Sequence, residues 1–508
     1  MANFLKKVKA SIFPESTDFY SAAITQELTE QQVQNAPYPN SREPEKNSDI
    51  TVDEVSSPSD VSSLRKPNAF DKITILAGSG LAFLYILVHV GAWVSYGVAF
   101  GTSNKWQIIF QNASSIQVFV FNILLVRQRQ NASRALMTLL AEFHSRRMTV
   151  ERLLNQIPGC DEASTHMEAP RALYINGKPF DTDSDEKMLL PPESMSRISY
   201  AWSQLCTLIA RGLGSLFSFF QYWVIIGAWA FMGSSFHYGN KWKLYIKTVT
   251  ALIVTMTSAF LQNIQKHEED RLARRLEHTL KIDAGIERQL RILTGDQKPN
   301  QIYTIPKSNY THIERFNEVT ADVMGSGLGV FISYHFIMVW FSIGYQIGFT
   351  DNWWLSIGTF MGLLGFINAF VLRSLYNREE IFVKKEFQKL AAADRLLLDQ
   401  LNVPVSVPEV DESSFVERIT LAISNACGHK FTPPGSMVVV FNLLGIATAL
   451  NWSKTGQLLC SVPTMIIQGF LLLILIHTHN QTKDERGADF SGLLKRKLLL
   501  HGFVETIE

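Results

Sequence analysis

Between residues 73 and 476 the chain alternates apolar runs with strongly polar connections. Crossing a 30 Å hydrocarbon layer takes about 20 residues of helix. Windows of about that length lie at Ile73–Phe100, Gln107–Val126, Gly212–Gly233, Leu244–Gln262, Gly327–Phe349, Trp354–Leu372, Gly435–Leu450 and Gln457–Ile476. They fall in pairs joined by short polar loops, which predicts helical hairpins. Trp93, Gly97 and Trp106 mark the first hairpin, and Trp229, Gly233, Trp242 and Trp340, Gly344, Trp353 recur at the same offsets. Three triplets in hairpins of one length indicate duplication. The fourth hairpin lacks the triplet, and Pro433 and Pro434 interrupt its approach.

After each of the first three hairpins the periodicity turns amphipathic. Leu136, Leu139, Leu140 and Phe143 stand among charges, as do Leu272, Leu276, Leu280 and Ile286, and the segment after Leu372 repeats the theme. The expected architecture is therefore an all-α polytopic membrane protein with eight transmembrane helices, arranged as four parallel two-helix repeats, each followed by a cytoplasmic amphipathic helix. Its segments are a disordered cytoplasmic tail (1–68), repeat 1 (69–157), a cytoplasmic loop (158–199), repeat 2 (200–294), repeat 3 (295–402), and a diverged repeat 4 with the C-terminal tail (403–508). Of the 47 Lys and Arg residues, only Lys105, Lys241, Lys243 and Lys454 lie in the hairpin loops, with Lys247 just inside the following helix. Positive residues stay on the cytoplasmic side, so both termini are expected there. Repeats that share one orientation are related by an axis along the membrane normal.

Aligning the second helix of each hairpin by its polar end superimposes Arg127, Gln262, Arg373 and His477. Three residues on come Gln130, Gln265, Tyr376 and Asn480; five residues before stand Asn122, Thr257 and Asn368, with Leu472 in the fourth. Polar side chains inside an apolar helix need a neighbouring helix, water or an ion. This face either lines a passage or hydrogen-bonds adjacent helices. His89 and His335 precede Trp93 and Trp340 by four and five residues. Embedded imidazoles are either transition-metal ligands, with Met338 beside His335, or packing residues. The candidate path residues are thus His89, Asn122, Thr257, Gln262, Gln265, His335, Asn368 and His477. Carboxylates cluster only at the polar ends, as Glu268, Glu269, Asp270 and as Glu379, Glu380.

Composition narrows the classes. A formal net charge of +1 over 508 residues excludes a strongly basic nucleic-acid surface. Cys160, Cys206, Cys427 and Cys460 form no CxxC pair, and so suggest neither a disulfide framework nor a thiolate metal centre. Paired glycines such as Gly78/Gly80 and Gly212/Gly214 open the first helix of a hairpin and are expected to serve close packing. No phosphate loop or dinucleotide fingerprint is present in the sequence.

The hairpin AGSGLAFLYILVHVGAW with Gly97, Lys105-Trp106 and Gln128–Asn131 resembles the low-affinity iron permease family, whose single-hairpin members share the Gly-Ser start, the Trp–Gly–Trp spacing and a QNxQ ending. Gln262-Asn263-Ile264-Gln265 is the nearest match to that ending. The resemblance spans most of residues 70–480. It implies a non-enzymatic plasma-membrane protein without cofactor, carrying Fe²⁺ and also copper and zinc as substrates down their gradient. The partners expected are metal cations and the lipid bilayer, with a possible homo-oligomer and no nucleic acid. Two other readings of the residues are a haem protein using His89 and His335, and a non-transporting scaffold.

Overall fold

The computed structural model describes residues 18–38, 69–101, 103–158, 174–175, 178–179, 197–307, 310–403 and 415–507. The described residues are mostly helical. Three helices recur in one order four times: a lead-in helix, an outer helix and a long inner helix. The short α1 (Glu30–Gln34) comes first. The lead-ins are α2 (Ala69–Ala77), α5 (Arg197–Leu213), α8 (His312–Met324) and α11 (Phe415–Cys427). The outer helices are α3 (Gly80–Phe100), α6 (Leu216–Met232), α9 (Gly327–Ile347) and α12 (Thr432–Ala449). The inner helices are α4 (Asn104–Leu154), α7 (Asn240–Thr294), α10 (Asp351–Gln400) and α13 (Lys454–Ile507). Among the described residues, seven helices are long and apolar enough to cross a membrane. The bent pair Gln204–Leu213 and Leu216–Met232 makes an eighth when taken as one span.

The first expected helix, Ile73–Phe100, is broken at Gly78-Ser79. The Ser79 hydroxyl accepts from Ala82 N and so starts α3 afresh, and Ser215 does the same for α6 through Ser218 N. The glycine of each break packs on an inner helix belonging to a different hairpin. A β-carbon at Gly78 would lie 2.9 Å from Lys266 Cβ on α7, one at Gly214 2.7 Å from Asn480 Nδ2 on α13, one at Gly325 2.8 Å from Gln130 Oε1 on α4, and one at Gly428 3.1 Å from Asn377 Cβ on α10.

The expected separate tail helices do not exist as such. Each is the uninterrupted continuation of the inner helix, which runs 51, 55, 50 and 54 residues in α4, α7, α10 and α13. The junctions 127–131, 263–270 and 373–380 contain neither Gly nor Pro. Nothing interrupts the backbone ladder there, and a change from apolar to charged side chains does not end a helix. At 1.5 Å per residue these helices are roughly 75–80 Å long. Less than half of that is needed to span the hydrocarbon, and the remainder forms a four-helix stalk.

The tryptophan spacing is a clasp. Trp93 stacks on Trp106 at 3.7 Å between centroids, Trp229 on Trp242 at 3.9 Å and Trp340 on Trp353 at 3.8 Å. In the second and third clasps each indole Nε1 donates to the backbone carbonyl of its partner tryptophan. Gly97, Gly233 and Gly344 leave room for the second ring, because a β-carbon at each would collide with Trp106, Trp242 or Trp353. Gly101 and Gly348, at φ +86° and +74°, turn the chain between outer and inner helix.

The amino-terminal segment departs from the expected disorder over residues 18–38. β1 (Phe19–Ser21) pairs antiparallel with β4 (Tyr303–Ile305), and Ala23 N donates to Ser145 Oγ. This strap is fixed on the stalk by Asn300, whose Nδ2 donates to Ala23 O and to Glu287. The rest of the expected tail lies outside the described residues. So does most of the 158–199 loop, from which the small hairpin of β2 (Tyr174–Ile175) and β3 (Lys178–Pro179) is described.

Two apolar layers fill the stalk. One contains Leu140, Phe143, Leu276, Phe387, Leu390 and Phe490; the other contains Leu153, Ile286, Leu290, Leu397, Leu500 and Phe503. Between them lies a buried ionic layer. Lys497 Nζ is 3.1 Å from Asp283 and 3.4 Å from Asp394, and Arg146 Nε is 3.1 Å from Glu287. His144 stacks on Tyr303 beside this layer. Burial pushes its imidazole down to about 4, against a smaller opposing pull from Asp394. The unfolded histidine gains its proton near pH 6.5 while the folded one stays neutral, so stability is full above pH 6.5 and is lost as pH falls toward 4. We predict that the unfolding midpoint of detergent-solubilised protein drops over that window, by up to roughly 3 kcal/mol of stability, and that His144→Leu flattens the dependence.

Candidate permeation path

The four inner helices form a closed ring. α4 packs on α7 and α10, and α13 packs on the same two. The outer helices stand around this ring and leave large apolar side chains exposed, among them Leu81, Val98, Phe217, Phe331 and Phe441, as helices facing lipid do. The axis of the ring is therefore shielded from the outward apolar surface and is the candidate path.

One residue from each inner helix closes the loop end of this axis. Ile108, Leu244, Leu355 and Leu458 touch one another, each at most 2% exposed. Moving 21 residues along every helix, three heptads, reaches Arg129, Gln265, Tyr376 and His479. All four line one small cavity of about 40 Å³. Both ends of the count sit on the axis, so the heptad steps between them trace its wall.

The first step is Gln111, Lys247, Gly358 and Ser461; the second is Ser115, Ala251, Gly362 and Met465. The third is Val118, Val254, Gly365 and Gln468, and the fourth is Asn122, Ser258, Ala369 and Leu472. The fifth is four leucines, Leu125, Leu261, Leu372 and Leu475, each fully buried within one cluster. The stretch between the two apolar rings, the chamber, is mixed in character and carries at least one polar side chain at every level.

Polar atoms in the chamber wall are left unmatched. Lys247 Nζ, Ser461 Oγ, Gln111 Oε1 and Asn122 Oδ1 are buried without a hydrogen-bond partner among the described residues. Both amide atoms of Asn112 and of Asn368, one helical position to the side, are unmatched too. Buried polar groups are rarely orphaned in a folded protein, so these are positions where water or an ion completes the coordination. A β-carbon built at Gly362, itself buried, would meet no atom within 4 Å. Open space thus exists at mid-chamber. The wall offers amide and hydroxyl oxygens, one thioether and one amine, and no carboxylate. Among the described residues, no three or more His, Cys, Asp or Glu side chains are placed to hold a metal ion together.

Below the leucine ring the surroundings become ionic. Arg129 lies over the Tyr376 ring at 4.4 Å and pairs with Glu379 at 3.1 Å and Glu380 at 3.0 Å. Arg486 meets Glu380 at 2.8 Å, and Gln128 Nε2 donates to Glu269 at 2.9 Å.

Of the residues singled out from the sequence, Asn122 and Gln265 stand on the axial stripe. Thr257, Gln262 and Asn368 are buried one position beside it. Gln262 Nε2 donates to Gln128 Oε1 at 2.6 Å. His477 is on the flank of α13, where its Nδ1 is 2.8 Å from Gly214 O at the break before α6. Asn480 Nδ2 donates to Ala210 O, and the Arg373 guanidinium to Ser424 O. The polar end positions thus satisfy the last carbonyls of neighbouring lead-in helices. His89 and His335 face outward among the exposed side chains of α3 and α9, and His335 Nδ1 is 2.9 Å from Phe331 O in its own helix. The structure does not bring them together, so a paired haem ligation has no geometric basis.

Lys247, Gln111, Ser461, Gln468 and His479 are the wall residues not anticipated. Counting heptads from the loop ends would have found them; aligning the helices by their polar ends put the stripe about one residue out of phase.

A family model described as low affinity iron permease matches residues 202–298 and 416–498. The low-affinity iron/zinc ion transport protein of Schizosaccharomyces pombe is 32% identical over 433 residues, covering 85% of this chain and 72% of that protein. The low-affinity Fe(2+) transport protein of Saccharomyces cerevisiae is 26% identical over 464 residues, covering 86% of this chain and 82% of that one. No solved structure matches. Kinship over most of its length places this chain in the low-affinity iron permease family.

Proposed function

We propose that this protein carries Fe²⁺ and Zn²⁺ across the plasma membrane at low affinity, through the chamber on the ring axis, with copper among the further cations admitted. The observation that carries the reading is the set of orphaned amide and hydroxyl groups held between two apolar rings. Such donors bind a cation weakly and release it readily, as conduction requires. Metal ions are the substrates, and the resemblance supports no resident cofactor. A membrane negative inside favours entry of a divalent cation by about 4.6 kcal/mol per 100 mV, so uptake needs no nucleotide.

We also read the chain as eight spans in four parallel lead-in, outer and inner units, with both termini and the stalk cytoplasmic. Support comes from the recurring Gly contacts, from the two segments of the family match, each of which covers one such unit, and from the scarcity of Lys and Arg in the hairpin loops.

The test is uptake of Fe²⁺ or Zn²⁺ into proteoliposomes under an imposed potential. Gly362→Leu places a side chain in the open mid-chamber, where its β-carbon meets no atom within 4 Å. It is expected to lower flux at least about tenfold while the unfolding midpoint stays at the wild-type value. Undiminished flux in a folded Gly362→Leu protein would remove the axial path.

A further inference from the structure

A cation that passes the ring of Leu125, Leu261, Leu372 and Leu475 cannot continue along the axis. The stalk beneath is filled by the layer containing Phe143, Phe387 and Phe490 and then by the ionic layer around Lys497. An exit must therefore pass sideways between two inner helices.

Three of the four gaps are tied across at the level just below the leucines. Arg129 binds Glu379 and Glu380 between α4 and α10, Gln128 binds Glu269 between α4 and α7, and Arg486 binds Glu380 between α10 and α13, all at 2.8–3.1 Å. Between α7 and α13 the tie is looser: Lys483 and Glu268 are 3.6 Å apart, each side chain 24% exposed. The small cavity below the leucine ring reaches into this gap. It shares Glu268, His479 and Lys483 with a second cavity of about 470 Å³, which opens beside the Gly78-Ser79 break and α5.

The inner end of the small cavity holds unmatched polar groups. Both amide atoms of Gln265, which is 3% exposed, and the Tyr376 hydroxyl have no hydrogen-bond partner among the described residues. His479 lines both cavities beside these groups. Neutral imidazole is a good ligand for a borderline divalent cation.

We propose that the gap between α7 and α13 is a lateral portal through which a divalent transition-metal cation leaves the axis, passing Gln265 and His479 and then the Glu268 carboxylate. The portal rests on the axial path proposed above. Release of Glu268 by Lys483 would expose a carboxylate to the passing cation.

Gly487 lines the portal, and a β-carbon there would meet no atom within 4 Å. Gly487→Trp should therefore place a bulky ring in the portal. The experiment measures Fe²⁺ and Zn²⁺ flux in proteoliposomes for wild type, Gly362→Leu and Gly487→Trp, together with a Lys483→Cys protein before and after modification by a bulky thiol reagent. The portal predicts at least a tenfold loss in Gly487→Trp at wild-type melting temperature, and a similar loss on modification of Lys483→Cys. Wild-type flux in folded Gly487→Trp, or after complete modification of Lys483→Cys, overturns it. If Gly487→Trp does not fold, the cysteine arm decides alone. Loss in Gly362→Leu with none in the portal variants leaves the chamber standing and moves the exit elsewhere; no loss in Gly362→Leu removes the chamber itself.

Discussion

Replacing Lys247 by Gln is expected to tighten the apparent affinity for Fe²⁺ at least tenfold, read as a fall in KM for uptake. Lys247 is fully buried one step below the loop-end ring, its Nζ lacks a partner among the described residues, and it shares its layer with Gln111 and Ser461. An ammonium about 6 Å from a divalent cation, at an effective dielectric constant near 20, opposes it by roughly 5 kcal/mol. A tenfold change in affinity needs only about 1.4 kcal/mol, so even a heavily relaxed fraction of that repulsion is measurable. An unpaired buried charge is also costly to the fold, and the same substitution should therefore raise the unfolding midpoint. Lys247→Arg keeps the charge and should retain the weak affinity. An unchanged KM in Lys247→Gln would show that the lysine does not face the cation.

The second large effect belongs to the stalk. Asp283→Ala leaves Lys497 with Asp394 as its remaining close carboxylate, inside a layer where both Asp283 and Lys497 are at most 1% exposed. Breaking a buried ion pair from one side typically costs about 3–5 kcal/mol. The expected result is a clearly lower unfolding midpoint in detergent, with Asp283→Asn separating loss of charge from loss of volume. A midpoint within a degree of wild type for both variants would mean that the layer tolerates an unpaired lysine.

Much of this architecture is legible in the sequence, and particular residues explain why. The Trp–Gly–Trp spacing reports a contact between the end of one helix and the start of the next, a local event fixed by a short loop. The stalk was legible as amphipathic helix, but its continuity with the spans was not. Hydropathy changes abruptly at residues such as Arg127 and His267, while the helical hydrogen-bond ladder does not depend on side-chain polarity. The first lead-in helix merges with its span in the sequence because an N-cap such as Ser79 is inconspicuous beside a long apolar run, and the other three lie wholly or almost wholly before their apolar windows.

The chamber was harder to read because it is a property of four helices together. Leu125 or Leu372 alone looks like ordinary core, and only the ring order shows that such leucines seal an axis. Residue rarity misled in the opposite direction. His89 and His335 are conspicuous in apolar helices, yet the faces they occupy point away from the ring. Nothing in a single helix distinguishes an outward histidine from an inward one when every other position is apolar.

The ring order also bears on how the chain is made. α13 is the piece that joins α7 to α10, and it leaves the ribosome after the other three inner helices. Until it arrives, Lys247 and the amides around it have one side open to lipid, where unsatisfied polar groups are expensive. A chain halted near residue 403 is therefore not a smaller transporter but an open trough in the bilayer. Nascent chains therefore complete their polar interior only when α13 has joined the other three inner helices.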